Sequence, residues 1–364
     1  MFPADIAILI PAFYPKSSLP SYVDELKALG FIKIIIIDDG SGNDFSPLFT
    51  DLELKKCTVV RYKTNYGKGH ALKVGIGYVA SHLSNVSGIV TADSDGQHLP
   101  ADVFHVAEVS ASHPDTLVLG ERDFSRKSVP RKSAFGNSFI SACFALLFGL
   151  HISDTQTGLR AFPRSLFNIL LALPGERYEY ETQMLAVCAH RNIPLTAVPI
   201  ETVYEDGNSG THYRPLADSL RIVASLLKTF LRFTASSIVC AVVDQVLAWT
   251  IMDSLVSILS GYDFLRIFLA TVVARIFSMI LNYTINKAFV FKKSADHGSA
   301  IRYLILGSIL MVLSACGVFV LHMTLFVDER IAKVIVDLCL FALSYRVQQS
   351  WVFGEDDRNN VDRA

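Results

Sequence analysis

The feature that most limits what this chain can fold into is the uneven distribution of its apolar residues. Residues 1–228 resemble an ordinary α/β sequence, but the pattern changes at Phe230. Four apolar runs follow, at about 231–253, 265–288, 301–326 and 331–352. Each is close to the ~20 residues that a helix needs to cross a bilayer. The sequence therefore predicts one domain at 1–228 and a second, at 229–364, made of four transmembrane helices.

Composition excludes several classes of protein. Charged residues make up 18% of the 364 residues and the mean hydropathy is +0.38, whereas a typical soluble domain has about 25% charged residues. This apolar content excludes a disordered chain and argues against a purely soluble one. A net charge of −1 gives no global field for nucleic acid, so no such partner is expected. The 6 cysteines contain no CxxC pair, which argues against a zinc site or a disulfide framework.

The positive residues predict how the helices are oriented. Lys and Arg are more frequent before the first apolar run and between the second and third than on the opposite side. The positive-inside rule then places both termini and the N-terminal domain of a multi-pass cell-membrane protein in the cytoplasm. The N-terminus lacks the basic region and cleavage site of a signal peptide, so Ile6–Ile10 is interpreted as a first strand.

The C-terminal half contains an internal repeat. Segment 282–291, at the end of the second run, aligns with segment 344–353 at the end of the fourth, and Phe233 and Tyr303 begin the two odd-numbered helices. The aligned pairs are Tyr283 with Tyr345, Asn286 with Gln348, Phe289 with Trp351, and Phe291 with Phe353. Duplication of a helix hairpin is the simplest interpretation, and chance matching of interfacial aromatic residues is the alternative.

Two ionisable residues lie deep in the apolar runs. Asp244 in the first helix and Arg275 in the second are both about 18–20 Å from the cytoplasmic end, at ~1.5 Å per residue. An isolated charge there costs at least ~2.5–3.5 kcal/mol, so we expect the two side chains to pair. Asp337 occupies the repeat position of Arg275, so no equal pair is expected in the second hairpin.

The N-terminal half alternates short β-branched runs with helical stretches. The runs are Ile6–Ile10, Ile32–Ile37, Thr58–Tyr62, Gly88–Ala92, Thr116–Gly120 and Leu195–Ile200, and the helical stretches lie near 19–29, 69–83, 100–112 and 177–190. This alternation predicts a mostly parallel sheet covered on both faces. Ligands bind such sheets at the carboxyl ends of the strands, where three polar clusters lie.

The first cluster, Asp38-Asp39-Gly40-Ser41, follows four consecutive isoleucines that require a buried strand. Carboxylates at the end of that strand can accept hydrogen bonds from a base or a ribose. An ordinary Asp-Gly turn is the alternative interpretation.

The second cluster is Thr91-Ala-Asp-Ser-Asp-Gly-Gln-His98. Asp93 and Asp95 occupy alternate positions after a strand, so both carboxylates can point to one place. Hard oxygen ligands of this kind suit Mg²⁺ or Mn²⁺ shared with substrate phosphates. Gln97 could add a third oxygen. His98 is either a fourth ligand or an exposed or hydrogen-bonded side chain.

The third cluster, Asn65-Tyr-Gly-Lys-Gly-His-Ala-Leu-Lys-Val-Gly75, has a glycine on each side of Lys68 and then a helical stretch. The GxxxxGK spacing of a Walker loop is absent. The start of the helix would favour a nearby diphosphate. A tight turn followed by a good helix start accounts for the pattern equally well.

Together and in this order, the clusters resemble the inverting family-2 glycosyltransferases with the GT-A (Rossmann-like) fold, and more closely the polyprenyl-phosphate (dolichol-phosphate) hexose synthases. The resemblance covers residues 6–221. It rests on Ile10-Pro-Ala12, Asp38–Ser41, Asn65–Gly69, Asp93–His98, Asp154–Arg160 and Asn208–Pro215. The C-terminal half is similar to the GtrA-like domain that accompanies such enzymes.

The resemblance implies an activity and the residues that perform it. A hexose, glucose or mannose, would pass from a UDP- or GDP-sugar to a polyprenyl phosphate (undecaprenyl or dolichyl) at the cytoplasmic membrane face. The nucleoside pocket would contain Pro11, Phe13, Ile37 and Asp39. The metal and diphosphate would be held by Asp93, Ser94, Asp95 and Gln97, with the metal on Asp93, Asp95 and Gln97. Arg122 would contact substrate phosphate as a catalytic residue, and acceptor or diphosphate groups would be bound by Arg131, Asn208 and Arg214.

The sequence departs from the family at one place. The family usually has Pro-Ala-Tyr-Asn-Glu where this chain has Pro11-Ala-Phe-Tyr-Pro15. The missing glutamate removes one usual nucleotide contact, which leaves the base selectivity open.

An anionic phosphate acceptor needs no general base, so Glu179 and Glu181 are interpreted as structural or sugar-binding residues. Segments 138–150 and 216–230 could be interfacial helices that meet the lipid, with a core helix as the alternative for the first. Two other functions remain open. One is glycosyl transfer to a different lipid. The other is a flippase for the lipid-linked sugar, whose cytoplasmic domain only binds.

Overall fold

The computed structural model describes residues 4–123, 131–201, 215–291, 297–326 and 329–353. The chain divides into two compact units, Met1–Leu226 and Leu227–Ala364. The first is an α/β unit and the second is helical.

The α/β unit is built on a seven-stranded sheet with the order β3-β2-β1-β4-β6-β5-β7. The strands are β1 (Ile6–Ala12), β2 (Lys33–Asp39), β3 (Thr58–Tyr62), β4 (Gly88–Thr91), β5 (Leu117–Arg122), β6 (Arg160–Pro163) and β7 (Leu195–Ile200). Strand β6 runs antiparallel to β4 and β5, and the other neighbours are parallel. The sheet is therefore mixed. The sequence did not predict β6, because this segment is short and contains no β-branched residue.

Helices accompany the strands. They are α1 (Leu19–Ala28), α2 (Ser46–Leu54), α3 (Lys68–His82), α4 (Pro100–Ser112), α5 (Arg131–Phe148), α6 (Phe167–Leu171) and α7 (Glu179–His190). Four of them, α1, α3, α4 and α7, lie where helical stretches were predicted. The short helices α2 and α6 were not predicted.

Strand β1 is buried along its whole length because helices cover both faces of the sheet. Ile8 and Ile10 belong to a core that includes Val103 and Val106 of α4. On the other face, Gly75 of α3 lies against Leu9 so closely that a Cβ there would overlap the leucine side chain. Close packing on both faces thus fixes the position of the strand end.

The chain places β2 and β3 on one side of β1 and then returns to place β4 on the other side. The strand order therefore reverses between β1 and β4. In open α/β sheets, the crevice at such a reversal is where ligands bind, outside the carboxyl ends of the strands.

The C-terminal part forms four long helices within the described residues: α8 (Pro215–Ser254), α9 (Asp263–Ile285), α10 (His297–Leu325) and α11 (Glu329–Val347). One stretch of the described residues, Arg221–Ser254, is long and apolar enough to cross a membrane by length and composition. The shorter apolar stretch Gly298–Ser314 lies within α10. Four membrane crossings therefore remain a prediction.

The repeated segments have the same local structure. Each ends in a five-residue π-helical turn, Asn286–Val290 after α9 and Gln348–Val352 after α11. The aligned amides contact each other, since Asn286 Nδ2 donates to Gln348 Oε1 at 3.0 Å. This common structure supports the duplication interpretation.

Aromatic contacts connect the two copies of the repeat in a matched way. The rings of Phe233 and Tyr345 are 5.3 Å apart, and those of Tyr303 and Tyr283 are 5.5 Å apart. In both pairs, a residue near the start of the first or third apolar run contacts a tyrosine at the end of the other hairpin. The two hairpins therefore exchange equivalent contacts.

The predicted pairing of Asp244 with Arg275 is confirmed: Arg275 Nη2 lies 3.3 Å from Asp244 Oδ2. The second hairpin was expected to carry no equal pair of opposite charges, and its repeat positions are joined by a hydrogen bond instead. Ser314, as far after Tyr303 as Asp244 is after Phe233, donates a hydrogen bond to Asp337 Oδ1 at 2.7 Å. A hydroxyl thus replaces the arginine as the partner of an acid.

Candidate active site

The end of β2 holds two buried aspartates, each 2% exposed. Asp38 Oδ1 accepts from the Ser41 backbone N–H at 2.8 Å, and Asp38 Oδ2 accepts from Arg61 Nε at 3.2 Å. Asp38 therefore closes the turn after the strand, as the turn interpretation proposed.

Asp39 fixes the neighbouring loop. Its two carboxylate oxygens accept the backbone N–H groups of Tyr66 at 2.9 Å and Gly67 at 2.8 Å. Gly40, with φ of 77°, packs so closely on the backbone of Thr64 and Asn65 that a Cβ would not fit. The first and third clusters of the sequence are thus joined into one rigid rim.

The second cluster follows β4, where Asp93 has a partner on each oxygen. Lys68 Nζ lies 2.7 Å from Asp93 Oδ1, and His98 Nε2 lies 3.3 Å from Asp93 Oδ2. His98 is 3% exposed, so it is a buried hydrogen-bonded histidine rather than an exposed one. Gly158 lies against the same carboxylate, and a Cβ there would overlap both oxygens. Asp93 is therefore held in one orientation.

Lys68 also binds Glu181 of α7, with Nζ 2.9 Å from Oε1. The Glu181 side chain is 6% exposed and that of Lys68 is 16% exposed. Burial alone would lower the lysine pKa, but Asp93 and Glu181 outweigh it and raise the pKa above its ordinary value. One ammonium group is thus shared by two carboxylates.

The two aspartates of the second cluster differ in pKa. Burial tends to raise the pKa of Asp93, but the charge of Lys68 and the hydrogen bond from His98 lower it below the ordinary range. The pKa of Asp95 is raised, first by burial and then by the negative charge of Asp93. Gln97 donates its backbone N–H to Asp95 Oδ1 at 3.1 Å. The cluster therefore contains more negative charge than Lys68 neutralises.

The Asp154–Arg160 motif supports the other side of the site. Asp154, 1% exposed, binds Arg122 through two contacts, 2.6 Å to Nε and 2.9 Å to Nη2. Arg160 is 1% exposed and donates to the backbone carbonyls of Thr155, Thr157 and Glu181. Burial lowers the pKa of Arg160. The structure thus orients the Arg122 guanidinium at the end of β5.

The remaining predicted site residues have different surroundings. Pro11 and Ile37 are buried and lie opposite each other in the β1–β2 register, whereas Phe13 and Ser94 are half-buried. Arg131 is the first residue of α5, but the structure does not describe its side chain. Asn208 and Arg214 lie outside the described residues. Within the described residues, no group of three or more His, Cys, Asp or Glu side chains could hold a metal ion. The metal ligands Asp93, Asp95 and Gln97 therefore remain a prediction.

Sequence reasoning did not identify how Lys68 is used. The glycines beside it indicated a turn, and the structure adds that they allow close packing. A Cβ at Gly67 would overlap Arg177, and one at Gly69 would overlap Tyr180. This approach of α3 to the start of α7 brings Lys68 to Glu181, residues that no local pattern could connect.

Two family models match the chain. The model described as glycosyl transferase family 2 matches residues 7–168, and the model described as GtrA/DPMS, transmembrane domain, matches residues 232–353. The first contains the strand ends that carry Asp39, Asp93 and Arg122. The second contains both copies of the internal repeat.

Curated relatives match more than half of the chain. The UDP-N-acetylglucosamine–dolichyl-phosphate N-acetylglucosaminyltransferase of Methanococcus voltae is 28% identical over 219 residues, which cover 55% of this chain and 86% of that protein. The dolichyl-phosphate beta-glucosyltransferase of Dictyostelium discoideum is 26% identical over 258 residues, covering 63% and 74%.

A solved structure of glucosyl-3-phosphoglycerate synthase from Mycobacterium tuberculosis, with Mn²⁺, UDP-glucose and phosphoglyceric acid, is also similar. It has a TM-score of 0.46 and 19% identity, and covers 61% of this chain and 78% of that one. The matched models and relatives, taken with the site at the strand ends, make this chain a family-2 glycosyltransferase that carries a GtrA/DPMS transmembrane domain, and hence a membrane enzyme.

Proposed function

We propose that the enzyme transfers a hexose, glucose or mannose, from a nucleoside-diphosphate sugar to a polyprenyl phosphate with inversion at the anomeric carbon. The observation that carries this proposal is the group of Asp93, Asp95 and Lys68 beside the crevice between β1 and β4. The named activities of the Methanococcus and Dictyostelium relatives, both acting on dolichyl phosphate, support the choice of acceptor.

The side chains after β4 fit a divalent cation, Mg²⁺ or Mn²⁺. The pKa of Asp95 is raised first by burial and then by the negative charge of Asp93, and a bound cation would stabilise the ionised carboxylate against both. Mg²⁺ commonly uses one or two protein carboxylates and completes its shell with substrate phosphates. Asp93, Asp95 and Gln97 would hold the ion, which would supply charge stabilisation for the departing nucleoside diphosphate.

The protein's own residues orient the reactants. Lys68 and His98 fix Asp93, and Asp154 aims Arg122 at the same edge of the sheet, where it would contact a substrate phosphate. The acceptor phosphate is already anionic at neutral pH, so it can attack the anomeric carbon without a general base. Positioning and electrostatics therefore account for the chemistry.

The acceptor also determines where the enzyme works. A polyprenyl phosphate lies in the bilayer, so the catalytic domain, 1–228, would act at the cytoplasmic membrane face. Residues 229–364 would cross the membrane four times, with both termini in the cytoplasm. Arg131, Asn208 and Arg214 would bind the acceptor phosphate or the diphosphate, because guanidinium groups suit phosphate oxygens.

The test is a transfer assay of the full chain in detergent with undecaprenyl phosphate and a panel of UDP-glucose, UDP-N-acetylglucosamine and GDP-mannose. We expect a lipid-linked hexose with one donor, and loss of most activity in Asp95→Asn and in excess EDTA. Asp115→Asn, the same change at an exposed position before β5, is the matched control.

Three results would contradict the proposal. One is full activity of Asp95→Asn, and another is full activity of the wild type in EDTA. The third is absence of product with every donor together with translocation of a preformed lipid-linked sugar in vesicles, which would favour a flippase.

A further inference from the structure

The predicted metal ligand Asp93 already contacts a cation of the protein itself. Lys68 Nζ lies 2.7 Å from Asp93 Oδ1. Because Mg²⁺ binds its oxygen ligands at about 2.0–2.1 Å, an ion on Asp93 Oδ1 would lie within about 5 Å of the Lys68 nitrogen. Two positive charges at that separation repel each other, and more strongly in a partly buried site than in water. Lys68 and a divalent ion therefore compete for one carboxylate.

Of the two groups in this contact, the lysine is the one that can move. His98, 3% exposed, lies 3.3 Å from Asp93 Oδ2, and Gly158 packs so closely on the carboxylate that a Cβ would overlap both oxygens. Packing and hydrogen bonding thus hold Asp93 in place. The ammonium group of Lys68, by contrast, is carried on a flexible four-carbon stem.

The start of α7 offers the ammonium group a second place. Lys68 Nζ is 2.9 Å from Glu181 Oε1 and 6.0 Å from the ring centroid of Tyr178. An aromatic face attracts a cation within about 6 Å. The Glu181 side chain is 6% exposed, so this buried carboxylate needs a cation whether or not Asp93 shares it.

The backbone around Lys68 confines any movement to the side chain. Gly67 and Gly69 pack so closely on residues 176–180 that a Cβ at either position would overlap them. The start of α3 therefore stays beside the start of α7. Since Lys68 already bridges both carboxylates, it can pass from Asp93 to Glu181 without losing contact with an acid.

We propose that Lys68 is an internal competitor of the divalent ion at Asp93, and that Glu181 accepts the lysine when the ion binds. Glu181 is then a positioning residue, because it acts through Lys68 and does not touch the ion. Lys68 weakens binding of the ion by the protein alone, so tight binding depends on the additional oxygens that a diphosphate supplies. This inference rests on the proposed function, because it presumes that the ion binds Asp93.

Calorimetric titration of the full chain in detergent with Mn²⁺, without nucleotide, tests the inference. Lys68→Gln keeps a hydrogen-bond donor but removes the charge. Its affinity for Mn²⁺ should rise by roughly 10- to 100-fold, the usual size of the effect of a group that contacts a metal ligand. Glu181→Gln leaves Lys68 with Asp93 alone, so the affinity should fall. The same order of affinities is expected with saturating UDP.

A double-mutant cycle separates transfer of the lysine from a general effect of charge. In the Lys68→Gln background, Glu181→Gln should change the Mn²⁺ affinity much less than it does alone, because the residue through which Glu181 acts is gone. Lys73→Gln is the matched control. It makes the same charge change on the same helix, its partner Glu176 is 52% exposed, and it should leave the affinity unchanged.

Thermal unfolding midpoints report whether each variant is folded. Glu181→Gln keeps the ion pair of Lys68 with Asp93, so it tests the inference even if Lys68→Gln does not fold.

Two outcomes would overturn the inference. One is an equal Mn²⁺ affinity in the wild type and in the folded single variants, and the other is an effect of Glu181→Gln that is the same with and without Lys68. A wild type that binds no Mn²⁺ even with saturating UDP would instead contradict the metal-dependent mechanism of the proposed function.

Discussion

The two units of this enzyme hold their ionised side chains in different ways. In the α/β unit, Lys68 is shared by the two carboxylates of Asp93 and Glu181, and the charges of Asp93 and Lys68 both act on a third carboxylate, Asp95. In the helical unit, Asp244 and Arg275 pair one to one. Excess charge at the strand ends is useful only where a ligand or an ion arrives to neutralise it. The Asp244–Arg275 pair is balanced in charge, although Asp244 Oδ1 is buried without a hydrogen-bond partner.

In the helical unit, neutral side chains hold neighbouring segments together. In the α/β unit, charged side chains have this role. Asn286 bonds Gln348 across the repeat and also accepts from Ser236. By contrast, Arg160 holds its loop with a buried guanidinium. Neutral amides are less costly to bury than ions. The comparison suggests that removing a charge should have the largest effect in the α/β unit.

The largest effect is expected from Lys68→Met, which leaves Asp93 and Glu181 buried without their cation. Breaking a buried ion pair on one side costs about 3–5 kcal/mol, so the free energy of unfolding should fall by that amount at neutral pH. Lys73→Met on the same helix is the matched control. Its partner Glu176 is 52% exposed, so it should lose no more than about 1 kcal/mol. Denaturant unfolding measures both variants.

The pH dependence of Lys68→Met has a definite sign. In the wild type, the lowered pKa of Asp93 gives stability that is present above the ordinary aspartate pKa, about 3.9, and lost as the pH falls through the folded-state pKa. Without Lys68, burial raises the carboxylate pKa, so the variant gains stability on acidification. The difference in the free energy of unfolding between the variant and the wild type should narrow as the pH falls through the raised carboxylate pKa of the variant. A constant difference would contradict this account.

The next effect concerns the Asp244–Arg275 pair. Asp244→Arg places two positive charges together, at a cost of at least ~2.5–3.5 kcal/mol for an unpaired charge in a membrane helix. The yield of folded, membrane-inserted protein should therefore fall. Adding Arg275→Asp should restore the yield, measured by size-exclusion chromatography in detergent. Asp253→Arg, near the exposed end of α8, is the control and should be tolerated. A double variant no better than Asp244→Arg would show that the two residues are not partners.

The smallest effect is expected from the amide pair of the repeat. A double-mutant cycle of Asn286→Ala and Gln348→Ala should give a coupling energy of about 0.6 kcal/mol and at most about 1.7 kcal/mol, the range for hydrogen bonds between membrane helices. Thr284→Ala combined with Gln348→Ala provides the control, because Thr284 bonds its own helix at Ile280 and should not couple. Zero coupling in the first cycle would mean that the amides only fill space.

The periodicity and spacing of the sequence predicted several strands and helices and one ion pair correctly. Four consecutive isoleucines required a buried strand, and Ile34–Ile37 lie within β2, at most 2% exposed. Asp244 and Arg275 could be paired from the sequence because both lie equally far from the cytoplasmic ends of their helices. Neighbouring antiparallel helices place residues of equal depth side by side. Local patterns succeed where the partner is dictated by period or by depth.

The tertiary structure decided the contacts between segments that lie far apart in the chain. Strand β6 inserts antiparallel between β4 and β5, a choice that its short sequence does not encode. Ser314 donates a hydrogen bond to Asp337, a contact that the repeat alignment alone did not predict.

By itself, then, the sequence determined which residues lie at the strand ends and which segments are apolar enough for a membrane, because both follow from side-chain period and hydrophobicity. Only the tertiary structure decided that Lys68 joins Asp93 to Glu181 and that Asp39 turns its oxygens to a loop rather than to solvent. These contacts join residues far apart in the chain, and packing at Gly67, Gly69 and Gly158 brings them within bonding distance.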